Sequence, residues 1–91
     1  MKIEGIVWLS QIVDKLISKH SVEIYEVEEV LAGNARFRFV EKGERKGEDV
    51  YAAYGKTDSG RFMLVLFVYK KTLIISARDM TDTERRLYER K

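Results

Sequence analysis

The stretch RFMLVLFVYKKTLIISA, residues 61–77, is apolar at both alternating sets of positions from Arg61 to Tyr69 and apolar again from Thr72 to Ala77. A run that is apolar on both faces is expected of a central strand covered on each side. Only Lys70 and Lys71 interrupt it, so the chain is expected to turn back on itself there as a hairpin, without the glycine that a two-residue turn prefers. Upstream, Lys56-Thr57-Asp58-Ser59-Gly60 has tight-turn chemistry, which pairs the strand DVYAAYGK, residues 49–56, antiparallel to the central one. Further upstream the period is two: Ala35, Phe37 and Phe39 alternate with Arg36, Arg38 and Val40. That predicts a half-buried strand with an arginine-bearing face and phenylalanines in the core. A charged bend, Glu41 to Glu48 with Gly43 and Gly47, joins it to the next strand.

Before these strands the spacing is helical. SQIVDKLISKH, residues 10–20, carries Ile12, Val13, Leu16 and Ile17 on one stripe, with Ser10 placed to cap it and Lys15 and Lys19 one turn apart on its flank. His20 and Ser21 punctuate the chain. VEIYEVEEVLAG, residues 22–33, then sets Ile24, Val27, Val30 and Leu31 on one face and glutamates around the rest, with Gly33 and Asn34 expected at positive φ as its stop. Ile3 to Trp8 is β-branched enough for a short strand. Thr81-Asp82-Thr83-Glu84 has capping-box spacing and starts a last helix through Leu87 and Tyr88. The expectation is an α+β domain spanning residues 1–91: two N-terminal helices on a four-stranded antiparallel sheet, closed by a short C-terminal helix.

Composition narrows the chemistry. With no cysteine and a single histidine, the 91-residue chain has no disulfide framework or thiol nucleophile and too few ligands for most transition-metal sites. No cofactor or metal is expected, since the six glycines form no phosphate-binding or dinucleotide fingerprint and no Gly-x-Ser-x-Gly elbow occurs. No apolar run is long enough to span a bilayer and no signal peptide is evident, so no membrane partner and a cytoplasmic location are expected. The net charge of +2 hides an asymmetry. Residues 1–32 hold 3 Lys against 6 Asp+Glu, while residues 33–91 hold 14 Lys+Arg against 9 Asp+Glu. A basic half suits a polyanion or an acidic protein as partner, or is simply a solvated surface.

Trp8, Lys19-His20, Gly47-Glu48, Gly60-Arg61, Ile75-Ser76-Ala77-Arg78 and Glu84-Arg85 followed by Tyr88 together resemble the BrnT toxins of type II toxin–antitoxin systems. The resemblance runs from about Trp8 to Tyr88. It implies a RelE-like fold, a metal-independent endoribonuclease that inhibits translation, and a cognate antitoxin carrying a DNA-binding module. Assembly as a homodimer or a toxin–antitoxin hetero-oligomer would fit it. Two departures stand out: family members commonly carry arginine where this chain has Val50 and Leu73.

By matching positions, the resemblance makes Glu48 the candidate base, Arg61 and Arg78 the phosphate grip, and Lys19, His20 or Tyr88 an aid to proton transfer. Lys15, Arg36, Arg38 and Arg85 are candidate RNA contacts. The chemistry is attack of a ribose 2′-OH on its own phosphate, which spares DNA. Each residue also has an ordinary reading. Glu48 suits a solvated strand end, Arg61 a blunted strand edge, His20 a helix end, Lys15 and Lys19 snorkelling stems, Tyr88 packing, and Arg36 and Arg38 a solvated sheet face. The alternative function is a RelE-fold module that binds antitoxin or RNA without turnover, and beyond it an inert structural domain.

Overall fold

The computed structural model describes residues 1, 3 and 5–90. The chain runs α1 (Ser10–His20), α2 (Ile24–Ala32), β1 (Arg36–Glu41), β2 (Val50–Lys56), β3 (Phe62–Val68), a 3-10 turn at Lys70–Thr72, β4 (Leu73–Asp79) and α3 (Asp82–Glu89). The four strands form one antiparallel sheet in the order β1-β2-β3-β4, as the alternation and turn chemistry require.

The sheet has two unlike faces. Ala53, Met63, Val65, Phe67, Ile74 and Ala77 point to the helices and form a core with Leu16, Val22, Val27, Val30 and Leu31. Met63, Val65 and Phe67 are wholly buried, so the central strand of the sequence is also the centre of the fold. The other face carries residues of the opposite parity. The register puts Arg36, Tyr54, Leu64 and Arg78 in one cross-strand row and Arg38, Ala52, Leu66 and Ser76 in the next. A bulge between Leu66 and Phe67 shifts the pairing, after which Val50, Val68 and Leu73 form a further row. Val50 and Leu73 therefore flank one valine, Val68.

Several local expectations are corrected. Ile3 to Trp8 forms no strand among the described residues. Only Val7 bridges to Leu73, in parallel, with Val7 N–H donating to Thr72 O and Ile74 N–H to Val7 O; Lys2 and Glu4 lie outside the described residues. Ser10 is the first helical residue and caps nothing, because Leu9 occupies the capping position. Gly33 has φ −91° and Asn34 is not at positive φ; the left-handed residue at a helix end is Ser21 (φ 53°), which ends α1. Phe39 is 47% exposed rather than core, since β1 is the edge strand and the helices do not reach its far end. The dilysine reversal is longer than a two-residue hairpin loop: Tyr69 to Thr72 lie between the paired Val68 and Leu73, with a 3-10 turn at Lys70–Thr72 and with Lys71 and Thr72 at positive φ, 59° and 49°. The C-terminal capping box forms as its spacing requires, with Glu84 N–H donating to Thr81 Oγ1 and Thr81 N–H to Glu84 Oε1.

Candidate functional site

Arg61 precedes β3 and reaches into the helix layer. Its Nε and Nη2 donate to the two Asp79 carboxylate oxygens at 2.6 and 3.3 Å. Nη1 donates to Ser21 O at 2.8 Å and to Glu26 at 3.1 Å, and Nη2 to His20 O at 2.9 Å. All the N–H donors that a guanidinium owns are thereby engaged. The hydrogen bond to Asp79, with Glu26 adding to it against the cost of burial, raises the Arg61 pKa and keeps the group charged. The residue ties together the end of α1, the start of α2 and the edges of β3 and β4.

Arg78 leaves the sheet on the opposite face. It grips Glu84 of α3 through two parallel bonds of 2.8 and 2.9 Å and donates to Asp79 O at 2.9 Å. Arg78 holds the Glu84 carboxyl at about 2, with Thr81 assisting and burial opposing, while Glu84 raises Arg78. A carboxyl so acidic is a poor base at neutral pH. The pair pins α3 over the sheet, where Tyr88 packs edge-on against Phe62 at 6.0 Å and the Arg85 guanidinium lies 4.0 Å over the same ring. Because α3 buries no residue fully, this pair is a large part of what holds it.

The sign of its pH dependence follows. The Glu84 pKa falls on folding from 4.5 to about 2, so the pair stabilises above pH 4.5 and is lost as pH falls toward 2. Arg78 is 39% exposed, and solvent screening leaves about 1–2 kcal/mol. Thermal melts at pH 5 and pH 2.5 should show a smaller drop for Glu84→Gln than for the wild type. Equal drops would mean that the pair contributes nothing.

Beneath α3 lies a cleft of about 400 Å³ lined by Arg36, Arg38, Tyr54, Glu84, Leu87 and Tyr88. The Arg36 guanidinium sits 5.6 Å from the Tyr88 ring centre. Two exposed arginines beside aromatic rings suit a phosphate chain with a base stacked nearby.

Glu48 is elsewhere. It lines a smaller cleft of about 190 Å³ with Val7, Val68, Lys70, Lys71 and Leu73, at the far end of the same open face. Val50, two residues after Glu48, and Tyr54, in the row of Arg78, are four residues apart, about 13 Å along the strand. Glu48, Arg61 and Arg78 therefore do not converge: two lie at opposite ends of one face and the third on the other face. Lys15, Lys19 and His20 are exposed on α1, on the helix side. Arg36, Arg38, Tyr88 and Arg85 are gathered around α3. Lys70 and Lys71 were not singled out by spacing, because a lysine pair in a turn has no signature beyond charge.

A wider cleft, about 900 Å³, lies between the N-terminal segment and Tyr51, Tyr69, Lys70 and Lys71, and no carboxylate lines it among the described residues. Among the described residues no cluster of three metal-ligating side chains occurs, and no helix is long and apolar enough to cross a membrane.

Fold and surface together define a small α+β protein that presents a basic sheet face partly roofed by its last helix. The family of ribonuclease toxins called BrnT, from type II toxin–antitoxin systems, matches residues 8–84, and the chain belongs to that family. No curated protein matches it.

Proposed function

We propose that this toxin cuts RNA without a metal, by 2′-OH attack, and so inhibits translation in the cytoplasm until a cognate antitoxin with a DNA-binding module covers its basic face. The observation that carries the reading is the register. It sets Arg36 and Arg38 on the same open face as the Val50–Val68–Leu73 row beside Glu48. A single strand laid along that face meets guanidiniums at one end and a carboxylate at the other. Glu48 takes the proton from the 2′-OH, whose oxygen attacks the adjacent phosphorus as the bond to the 5′-oxygen breaks. Arg36 and Arg38 hold flanking phosphates, and Tyr88 offers a stacking ring. Arg61 and Arg78 act through the fold, one clasping the helix layer and the other fixing α3. Lys15, Lys19, His20 and Arg85 are left for outer contacts with RNA or antitoxin.

The test is purified protein with single-stranded RNA in EDTA. Fragments ending in 2′,3′-cyclic phosphate are expected, and DNA of the same sequence should stay intact. A second reading, a binding module without turnover, is favoured by the wholly apolar Val50–Val68–Leu73 row and by the engagement of Arg61 and Arg78. It predicts binding that weakens with salt at a log–log slope of roughly −0.7 per phosphate, with no fragments. No binding at low salt would leave only an inert domain.

A further inference from the structure

Residues 42–49 and the dilysine turn are built as one unit. Tyr69 N–H donates to Asp49 O at 2.8 Å and Lys70 N–H to Gly47 O at 2.6 Å, clipping the charged bend to the end of β3. Within the bend, Gly43 N–H donates to Asp49 Oδ1 and Glu48 N–H to Arg45 O. Gly43 permits a close approach: a Cβ there would lie 2.3 Å from the Glu48 carbonyl oxygen. Gly47 (φ +86°) lies where a Cβ would meet the Lys70 stem at 3.6 Å. Glu48 and the two lysines are therefore held on one short frame.

The turn itself is costly. Two consecutive non-glycine residues at positive φ each cost on the order of 1–3 kcal/mol, and such strain persists where the surroundings over-determine it. Here Val7 N–H on Thr72 O and Thr72 N–H on Tyr69 O supply the hold. The outcome is a cleft lined by Glu48, Lys70 and Lys71 together with the apolar Val68 and Leu73, and the two lysines also border the larger cleft beside it. An apolar lining weakens competition from water for those charges.

We infer that Lys70 and Lys71 are catalytic residues of the RNA-cleaving reaction, gripping the scissile phosphodiester beside Glu48 in place of guanidiniums from the sheet. The inference rests on the nuclease reading and deepens it. As Glu48 removes the 2′-proton and the O2′–P bond forms, negative charge grows on the non-bridging oxygens. The ammonium groups meet that charge where it develops. The P–O5′ bond then breaks, a lysine ammonium gives its proton to the 5′-oxygen, and the amine recovers a proton from Glu48 through water. One proton leaves the substrate and one returns to it.

The experiment compares the wild type with Lys70→Gln/Lys71→Gln and Lys70→Arg/Lys71→Arg on a labelled single-stranded RNA, with melting temperatures alongside. The glutamine pair should cleave at least about 100-fold more slowly and bind RNA more weakly, with a shallower salt dependence. The arginine pair should restore binding in full but turnover only in part, because guanidinium is a poor proton donor. A glutamine pair that folds and cleaves like the wild type overturns the role of the lysines and leaves the nuclease reading standing. A wild type that cuts no RNA overturns both. If the glutamine pair unfolds, Lys71→Gln alone carries the same expectation, since Lys70 is the residue packed against Gly47.

Discussion

Arg61→Ala is expected to destabilise the protein by about 3 kcal/mol, because removing one partner of a buried ion pair strands the other. Glu26 is the stranded partner: its side chain is only 10% exposed, whereas Asp79 at 62% returns readily to water. That contrast puts the effect at the lower end of the roughly 3–5 kcal/mol seen for fully buried pairs. For a domain of this size the melting temperature should fall by about 12–24 °C. Arg61→Lys should recover little, since one ammonium cannot reach two carboxylates and two carbonyls set around a planar fork. Arg61→Met with Glu26→Gln should recover more, because the orphaned charge is gone while the side chain at position 26 can still accept from Glu23 N–H. A melt within about 1 kcal/mol of wild type, combined with lost cleavage, would return Arg61 to the phosphate-binding role that family matching gives it.

The same residue shows why the sequence was legible for the fold and less so for the site. Periodicity depends on near neighbours, and it marks the strands from Ala35 to Ala77, the two leading helices and the capping box at Thr81. The Arg61 clasp spans 35 residues to Glu26 and 41 to His20, and nothing local announces it. Glu26 sits among exposed glutamates, and the only local hint is its spacing of three from Glu23, whose N–H it accepts. Faces were equally hidden. Arg61 and Arg78 each adjoin the strands, but parity sends them to opposite sides of the sheet, Arg61 two residues before the core-facing Met63 and Arg78 paired with Leu64 of the other face. Lys71 at positive φ breaks a local preference outright, and such conflicts between residue type and backbone gather where function competes with stability.

Glu48→Gln is expected to lower RNA cleavage by about 10²–10⁴-fold, the range for loss of a positioned proton acceptor. The amide is nearly the same shape, and Glu48 is half-buried with its N–H satisfied by Arg45 O, so the melting temperature should hardly change. Binding should move the opposite way from rate. Removing a negative charge from a cleft shared with Lys70 and Lys71 relieves repulsion of the phosphate by about 1 kcal/mol, or about 5-fold in affinity. A residue that only positioned RNA would lose affinity instead, so the two signs separate a base from a binding group. Gly43→Ala offers an independent check, since its new methyl must push the Glu48 backbone away from 2.3 Å. A displacement of about 1 Å at the proton acceptor can cost on the order of 100-fold, with the chemistry of every side chain in the cleft unchanged. Should Glu48→Gln cleave at the wild-type rate while Arg36→Ala/Arg38→Ala does not, the reaction belongs to the cleft under α3. There the carboxylate of Glu84, held at about 2 by Arg78, is too weak a base at neutral pH, and water would have to take the proton.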